Sequence, residues 1–393
     1  MEATPFDDST HVRVAINLLT EDPRHPSGAH WFWTRVIPEM TKSLEPREQI
    51  YLMVSPTCRP LHETYGPSVR YITFPWSNER RVLRTLSEHL YSPLRLPWSK
   101  VDVLNTLVAP AIKTCPVVVH IKTMHAFMLR DFPKLTGLYR RRGYRRSVAV
   151  ADAIIVNSNS LRSQIEQYLP VDAAKFRLVP EAVDHEVFKP GDRDAARAQV
   201  RQLGLTRPFV VFVSSLWPYK NCEGLLKAWA YARSDLGGRQ LAIVGGGTYL
   251  SHKQYLEALA RQLGIAADTV FVGQLSLSET VPFYQAADAF VYPSFNETFG
   301  LPILEAMACG CPVVTSNVTA MPETAGGAAV LCEPSEPRSI AQALLKALGP
   351  SGDRLRRLGF ARAAQFSWAT TAKKTLEVYR EVHEQHSSDG THA

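Results

Sequence analysis

Short apolar runs alternate along this chain with longer segments of helical periodicity. Near-continuous apolar runs are typical of strands that are buried on both faces of a parallel sheet. The predicted strands span residues 11–19, 50–54, 69–74, 101–105, 117–121, 153–156, 208–214, 240–244, 270–275 and 312–316. Helical patterns lie between several of these strands, as the crossovers of a parallel sheet require. The pattern therefore predicts an α/β protein.

The hydrophobic pattern is interrupted by Pro190-Gly191-Asp192, which reads as a linker. A chain of 393 residues is long enough for two or three domains of about 150 residues each. We therefore predict a first domain at 1–190, a second at 191–365, and a closing segment at 366–393. That segment begins with a helix over 366–382, and its polar tail from His386 to Ala393 is predicted to be disordered.

Composition indicates a globular protein. Hydrophobic residues make up 45% of the chain and charged residues 21%. No apolar run approaches the roughly 18 residues of a membrane span, and the acidic, polar start does not resemble a secretory signal. Cys309 and Cys311 are too close together for a usual zinc pair, and free thiols favour a reducing cytoplasm.

Positive charge is concentrated in the first half of the chain. Residues 1–190 carry 25 basic against 19 acidic residues (+6), whereas 191–393 carry 19 against 18 (+1). The excess peaks at Arg140, Arg141, Arg142, Arg145 and Arg146. This cluster could face anionic lipid or an anionic acceptor, or it could be the solvated face of a helix. No nucleic-acid-binding signature accompanies it, so we expect no nucleic-acid partner.

The candidate chemistry is concentrated in the stretch from residue 294 to 312, which holds two carboxylates eight positions apart, Glu297 and Glu305. Gly300 between them can adopt a positive φ, and Pro302 suits the first turn of a helix, predicted over 302–308. Free N–H groups at such a helix start attract a phosphate. Carboxylates on either side can accept hydrogen bonds from sugar hydroxyls, so the stretch predicts a sugar-nucleotide site.

The pattern E-x-F-G-L-P-x-x-E from Glu297 to Glu305 resembles the E-x7-E signature of the retaining family-four glycosyltransferases. The resemblance is close over 205–382 and weaker over 10–190. It implies a GT-B fold, in which two Rossmann-like doubly wound domains face a cleft and the last helix crosses back to the first domain. In that arrangement the first domain binds the acceptor and the second binds the nucleotide sugar.

The resemblance also implies roles for single residues. Glu305 would bind the ribose, Glu297 the transferred sugar, and Lys220 with Ser215 the diphosphate. Ser214-Ser215 stand where the family often has Gly-Arg, so a usual second cation is missing. The donor-binding residues implied are Gly28, Ser215, Lys220, Gly246, Val272, Gly273, Glu297, Thr298, Phe299, Gly300, Leu301 and Glu305.

Two features of the first half depart from the family pattern. His30 stands where a second glycine is common after Gly28, and Lys122-Thr123 stand where many relatives have a His-Asp pair. His120 and His125 are the candidate substitutes, and His125 forms the predicted catalytic set with Glu297 and Lys220. The alternatives are a packed loop histidine for His125 and a buried strand histidine for His120.

These expectations describe a retaining enzyme that moves a hexose-type sugar from a nucleoside diphosphate to an acceptor hydroxyl of a glycan, glycolipid or secondary metabolite. No acidic metal-binding pair stands near the phosphate site, so we expect neither metal nor cofactor, with the nucleotide sugar as co-substrate. Lys122, Ser215 and His30 favour an alternative, a non-catalytic sugar-nucleotide-binding partner subunit. An epimerase or phosphorylase of the same architecture is a third possibility.

Overall fold

A computed structural model describes residues 11–19, 28–62, 65–75, 85–128, 134–246 and 250–389. The chain divides into two compact units. The first comprises residues 1–180 together with 368–393, and the second comprises 181–367. The sequence analysis had set the division near 190. Val183 and Phe188 are buried in the hydrophobic core of the second unit, which explains why the segment after Pro180 belongs there.

The strands of both units are short and mostly apolar. They are β1 (Arg13–Asn17), β2 (Gln49–Val54), β3 (Val69–Thr73), β4 (Val103–Thr106), β5 (Val117–His120), β6 (Ala153–Val156), β7 (Phe176–Leu178), β8 (Phe209–Val213), β9 (Gln240–Val244), β10 (Thr269–Gly273), β11 (Ala289–Tyr292), β12 (Val313–Ser316) and β13 (Ala329–Cys332). The sequence analysis missed β7, β11 and β13, which have only three or four residues each.

Helices connect most of these strands. They are α1 (Gly28–Lys42), α2 (Ser92–Trp98), α3 (His125–Met128), α4 (Lys134–Val150), α5 (Asn159–Tyr168), α6 (Arg193–Arg201), α7 (Cys222–Ala232), α8 (Leu250–Gln262), α9 (Leu277–Ala286), α10 (Leu301–Ala308), α11 (Met321–Ala325), α12 (Pro337–Leu348), α13 (Gly352–Ala363) and α14 (Trp368–Asp389). A π-helical turn, Ser87–Tyr91, precedes α2. No helix in the described residues is both long and apolar enough to cross a membrane.

The first unit is a parallel sheet in the order β3-β2-β1-β4-β5-β6-β7. Its core packs β1 and β2 with residues of α1 and of α14. Asn105 at the end of β4 donates a hydrogen bond of 2.6 Å to the Tyr379 hydroxyl of α14. Arg380 of the same helix pairs with the buried Glu48 carboxylate at 2.7 Å. The predicted return of the last helix to the first domain is therefore confirmed.

The second unit is a parallel sheet in the order β10-β9-β8-β11-β12-β13. Its two central strands, β8 and β11, are buried at every position except Val213. The strand order reverses between them. Ligands of doubly wound sheets bind at such a reversal, beyond the carboxyl ends of the strands. The candidate site of this unit is therefore expected after β8 and β11.

Ser158 caps α5, because the Ser158 hydroxyl accepts a hydrogen bond of 3.0 Å from the Leu161 amide. The predicted disordered tail is wrong over residues 386–389, which continue α14. There the His386 ring lies 3.0 Å from the Val382 carbonyl and 3.3 Å from the Asp152 carboxylate, which anchors the last turn. Residues 390–393 lie outside the described residues.

Candidate active site

The loop after β8 brings Lys220 to the reversal in strand order. Lys220 ends a short 3₁₀ turn, and Asn221 follows it with a left-handed backbone (φ 59°). The Asn221 side chain accepts from the Gly224 amide at 3.1 Å, which caps α7. Its amide group also donates to the Pro293 carbonyl at 3.0 Å. Asn221 therefore fixes the Lys220 turn against the segment that follows β11.

That segment is held in place by the hydroxyl groups of neighbouring residues. Thr315 and Ser316 of β12 donate to the backbone carbonyls of Tyr292 and Ser294, at 2.9 and 2.7 Å. The Ser294 hydroxyl lies 3.1 Å from the Tyr219 carbonyl in the loop after β8. The Thr315 and Ser316 hydroxyls thus satisfy backbone carbonyls in a buried region, where an unpaired group is costly.

Glu297 is the acceptor at which three donors converge. Its Oε1 atom lies 2.6 Å from the Lys220 ammonium, 2.7 Å from the Tyr292 hydroxyl and 2.9 Å from the Ser294 hydroxyl. The Lys220 and Glu297 side chains are only 11% and 12% exposed. Among the described residues, no group donates to the other oxygen, Oε2. The carboxylate is therefore held by one oxygen, and the other remains available to a ligand.

Electrostatics fix the protonation states of Lys220 and Tyr292. Burial disfavours the Lys220 ammonium, but the adjacent Glu297 carboxylate outweighs it and raises the pKa of Lys220. Burial and the Glu297 charge together raise the pKa of Tyr292. Lys220 therefore stays charged and Tyr292 stays a neutral donor at neutral pH.

The backbone of Glu297 is held on both sides by one loop. Its amide donates to the Thr319 hydroxyl at 3.1 Å, and its carbonyl accepts from the Ala320 amide at 3.3 Å. Thr319 has a positive φ of 53°, which is strained for a β-branched residue. Such strain persists only where the surroundings impose it, so Thr319 is a positioning element for Glu297.

The start of α10 lies between the two glutamates in sequence. Gly300 has a φ of 91° and precedes the first helical residue, Leu301. Among the described residues, no acceptor pairs with the Gly300 or Leu301 amide. Unpaired amides at a helix start attract anions. Phe299, by contrast, buries its side chain edge-on against Phe366 and so takes part in the core.

Glu305 lies one turn into α10, as predicted, but its surroundings differ from those of Glu297. The Tyr284 hydroxyl donates to Oε2 at 2.9 Å. Among the described residues, nothing donates to Oε1 and no cation pairs with the carboxylate. Burial therefore raises the pKa of Glu305 to about 7, although the Tyr284 hydrogen bond opposes this. The Glu305 carboxyl group therefore binds a proton more readily than an ordinary glutamate does.

The strand exits beside β8 carry the remaining predicted donor residues of this unit. The Gly245 amide donates to the Gly273 carbonyl at 2.7 Å, and the Leu216 amide to the Gly246 carbonyl at 2.9 Å. Gly245 has a φ of 142°, and a Cβ there would lie 1.8 Å from the Ser214 carbonyl oxygen. Glycine is therefore required at this position. Ser215, Gly246, Val272 and Gly273 are all partly exposed at these exits.

The predicted residues of the first unit are found at two places. Gly28 is the exposed first residue of α1, and the loop before it lies outside the described residues. His125 begins α3, and its amide donates to the Thr123 hydroxyl at 3.2 Å. His125 is therefore partly buried at a helix start, which leaves its predicted catalytic role untested.

His120 is a buried strand residue. Its ring is packed against Phe32 and Trp33, with centroids 5.0 and 5.6 Å away. Within the described ranges, neither ring nitrogen of His120 has a hydrogen-bond partner. Burial, with a smaller effect of Lys122, lowers the pKa of His120 well below its usual value, so the ring is neutral.

Sequence reasoning missed four contributors to the site. Tyr292 and Ser294 precede the motif and were assigned no role from the sequence, although both donate to Glu297. Tyr284 and Thr319 lie 21 and 22 residues from the glutamates that they contact, so no local pattern identifies them. The described residues contain no cluster of three His, Cys, Asp or Glu side chains that could hold a metal ion.

Comparison with known proteins gives matches over both units. The model "Glycosyltransferase Family 4" matches residues 34–187, and "Glycosyl transferases group 1" matches 193–359. D-inositol 3-phosphate glycosyltransferase of Nocardia farcinica is 36% identical over 61% of this chain and 55% of its own length. The same-named protein of Segniliparus rotundus is 33% identical over 71% of this chain and 62% of its own. The chain thus spans little more than half the length of these curated relatives.

Solved structures share the fold. Sucrose-phosphate synthase from Thermosynechococcus elongatus has a TM-score of 0.77 at 20% identity, covering 95% of this chain and 99% of its own. Anabaena HepE in complex with UDP and glucose has a TM-score of 0.71 at 18% identity, covering 94% and 99%. With both family models matched in order along the chain, this protein belongs to the family-four, group 1 glycosyltransferases and has the GT-B fold.

Proposed function

We propose that this protein transfers a hexose-type sugar from a nucleoside diphosphate sugar to an acceptor hydroxyl, with retention of configuration. The proposal rests on the hydrogen bonding of two carboxylates in the site. Glu297 and Glu305 each have one oxygen held by protein donors and one with no donor among the described residues. Sugar hydroxyls are suitable donors for such oxygens. The complexes of Anabaena HepE with UDP and with UDP-glucose support a donor of this class.

In this proposal the charges of the site match those of the donor. The Lys220 ammonium and the Gly300 and Leu301 amides stabilise the diphosphate as it leaves with its developing negative charge. Glu305 accepts from the ribose hydroxyls, and Glu297 accepts from the hydroxyls of the transferred sugar. No protein nucleophile is needed if an oxygen of the diphosphate helps to deprotonate the acceptor hydroxyl. The protein then acts by orientation and electrostatics.

We propose that donor binding uses neither a metal ion nor another cofactor. The ammonium group of Lys220 supplies a fixed positive charge 2.6 Å from the carboxylate of Glu297, a residue that shortly precedes the start of α10 in sequence. Such a cation, with free amides, can neutralise a phosphate without a metal ion. The prediction is tested below by chelation.

For the acceptor we propose an anionic or lipid-linked compound, because the positive charge is concentrated in residues 1–190. A lipid-linked acceptor fits a cytoplasmic protein that acts at the inner face of the membrane. Contact with a membrane can be tested separately from sugar transfer.

A thermal-shift panel of uridine, guanosine and adenosine diphosphate sugars tests the donor class. A ligand at about 100 times its dissociation constant adds roughly 2.7 kcal/mol to the free energy of unfolding. Glu305→Gln is the matched control, since it should reduce this gain. Slow hydrolysis of the stabilising sugar nucleotide without acceptor then distinguishes an enzyme from a non-catalytic partner subunit. No stabilisation by any of the three would contradict the proposal.

A further inference from the structure

An apolar stripe is exposed on α2 and the π-helical turn before it. Leu86, Leu90, Leu94 and Trp98 follow each other at intervals of four residues, and they are 42%, 55%, 68% and 85% exposed. The opposite side of the same segment is buried, including Ser92 and Leu96. The segment thus has one face packed within the unit and a second, apolar face turned to solvent. A contiguous apolar stripe of this kind marks an interaction surface.

The helix beside this stripe is basic. The His89 ring lies 3.2 Å from the Tyr139 hydroxyl of α4, which brings the two elements together. Arg142 lies one turn beyond Tyr139, and Arg145 follows one turn later. The sequence of α4 contains no acidic residue, and the one acidic residue of 85–100, Glu88, is 6% exposed. Apart from the buried Glu88, the charged residues of 85–100 and of α4 are therefore all basic.

The five arginines of α4 do not contribute equally. Arg141 donates to the Ala126 carbonyl at 2.6 Å, and Arg146 donates to the Pro110 carbonyl at 3.0 Å. These two guanidinium groups are used within the unit. Arg142 and Arg145 are exposed and have no ion-pair partner in the part of the chain that the structure describes. The same is true of Arg95 on α2.

We propose that the first unit has a membrane-docking face. It comprises three residues of the stripe, Leu90, Leu94 and Trp98, together with Arg95, Arg142 and Arg145. Its occupant is an anionic lipid surface. Amphipathic helices with apolar and Trp side chains on one face and basic residues beside them lie in the membrane interface. Each basic side chain gains from the negative surface potential. The exposed leucines distinguish this face from a nucleic-acid site, which would need basic groups without a stripe of aliphatic side chains.

The proposal goes beyond the proposed sugar transfer and does not depend on it, because lipid binding needs no nucleotide sugar. The test is co-sedimentation of the full chain with phosphatidylcholine vesicles, with and without 30% phosphatidylglycerol. We expect binding at least tenfold stronger to the anionic vesicles, and weaker binding as salt rises and the Debye length shortens. Changing Arg142→Gln and Arg145→Gln together should weaken this binding by about 30-fold.

The stripe is tested by Leu90→Ser, Leu94→Ser and Trp98→Ser in one chain, which should lose at least tenfold in vesicle binding. The controls are Leu203→Ser with Leu331→Ser, two leucines of similar exposure in the second unit. For the arginines the control is Arg354→Gln with Arg357→Gln, both exposed on α13. These controls should bind vesicles like the unaltered chain.

A fluorescence measurement locates the contact. Lipids brominated in their acyl chains should quench part of the tryptophan emission, and Trp98→Phe should abolish that part while leaving sedimentation nearly unchanged. Equal binding to neutral and anionic vesicles would overturn the proposal. Binding lost equally in the control variants, or confined to an added RNA homopolymer, would overturn it as well. None of these results depends on whether sugar transfer is observed.

Discussion

Two corners of the second unit, built around Glu297 and Glu305, provide carboxylates for what we propose is one donor. The Glu297 corner contains an ammonium group at 2.6 Å and two hydroxyl donors. The Glu305 corner contains one phenol at 2.9 Å, and no cation pairs with the carboxylate among the described residues. Both carboxylates are well shielded from solvent, so the difference lies in charge compensation.

Two carboxylates of one motif can thus be prepared for different tasks by their surroundings. Glu297 is an ion-pair partner before any ligand arrives, and its charge is balanced by Lys220. Glu305 is uncompensated, and burial brings its pKa to about 7. Hydroxyl donors from a ligand would stabilise its charged form and complete that corner.

Removing the Lys220 ammonium group should have the largest effect of these changes on the free energy of unfolding. Lys220→Met leaves a buried carboxylate without its partner, which costs about 3–5 kcal/mol in unfolding free energy. Adding Glu297→Gln should restore most of that loss, because no charge then remains uncompensated. Urea unfolding at pH 7 measures both. Lys227→Met is the control, since Lys227 and Glu223 also lie 2.6 Å apart but are 45% and 39% exposed, and it should cost less than about 1 kcal/mol.

At the Glu305 corner, removing the charge should stabilise the protein. The folded-state pKa of about 7 lies above the ordinary value of 4.5, so the folded chain holds this proton more tightly than the unfolded chain. Stability contributed by the protonated form is present at low pH and is lost as pH rises toward and past 7. Glu305→Gln should therefore gain up to about 3 kcal/mol at pH 8 and little at pH 4. Equal gains at both pH values would contradict the pKa shift.

The two glutamates should also differ in how they affect turnover. Glu305→Gln should weaken affinity for the free nucleoside diphosphate, because ribose contacts are alike in ground and transition states. Glu297→Gln should mainly lower kcat, because positive charge develops on the transferred sugar. One charge-assisted hydrogen bond is worth about 1.5–3 kcal/mol, so each effect should be roughly 10- to 150-fold. Calorimetry with the diphosphate, paired with turnover, measures both. Similar losses of diphosphate affinity in both variants would refute the assignment.

The loop that holds the Glu297 backbone should contribute less. Thr319→Val removes the hydroxyl that accepts from the Glu297 amide, whereas Thr319→Ser retains it. Because one such bond is worth about 1 kcal/mol, Thr319→Val should lower kcat roughly fivefold. Thr319→Ser should keep kcat near that of the unaltered chain. If both variants lose kcat equally, the hydroxyl does not position Glu297.

Chelation should have the smallest effect. Because Lys220 and the α10 amides neutralise the diphosphate in our proposal, activity should survive EDTA unchanged. The control is a metal-dependent transferase assayed with the same donor under the same conditions. Loss of activity that Mg²⁺ or Mn²⁺ restores would show that a metal ion is needed.

The sequence predicted those parts of the site that depend on local backbone geometry. Gly300 and Pro302 predicted the start of α10, and the eight-residue interval predicted Glu305 one turn into the helix. The long apolar runs predicted most strands, since parallel strands are buried on both faces. β11 was missed although β4, β5, β6 and β12, which were predicted, also have four residues each, so strand length does not explain the difference.

The hydrogen-bond partners of the two carboxylates could not be predicted from the sequence. Lys220 contacts Glu297 and Tyr284 contacts Glu305, from 77 and 21 residues away. Only the fold brings these groups within hydrogen-bonding distance. Burial, which raises the pKa of Glu305, is likewise a property of packing between elements. The partners and the burial of the two glutamates could therefore be learned only from the structure, whereas the position of the motif could be read from the sequence.

The return of α14 to the first unit has a consequence for biosynthesis. Ala372, Leu376, Tyr379 and Val382 belong to the core that β1 and α1 begin to form some 350 residues earlier. A ribosome delivers these side chains last, so the nascent first unit must wait for its final helix until the entire second unit has been made. Until then an apolar surface is left uncovered. A message truncated after residue 367 would therefore yield a chain whose second unit is complete and whose first unit is open to aggregation and proteolysis.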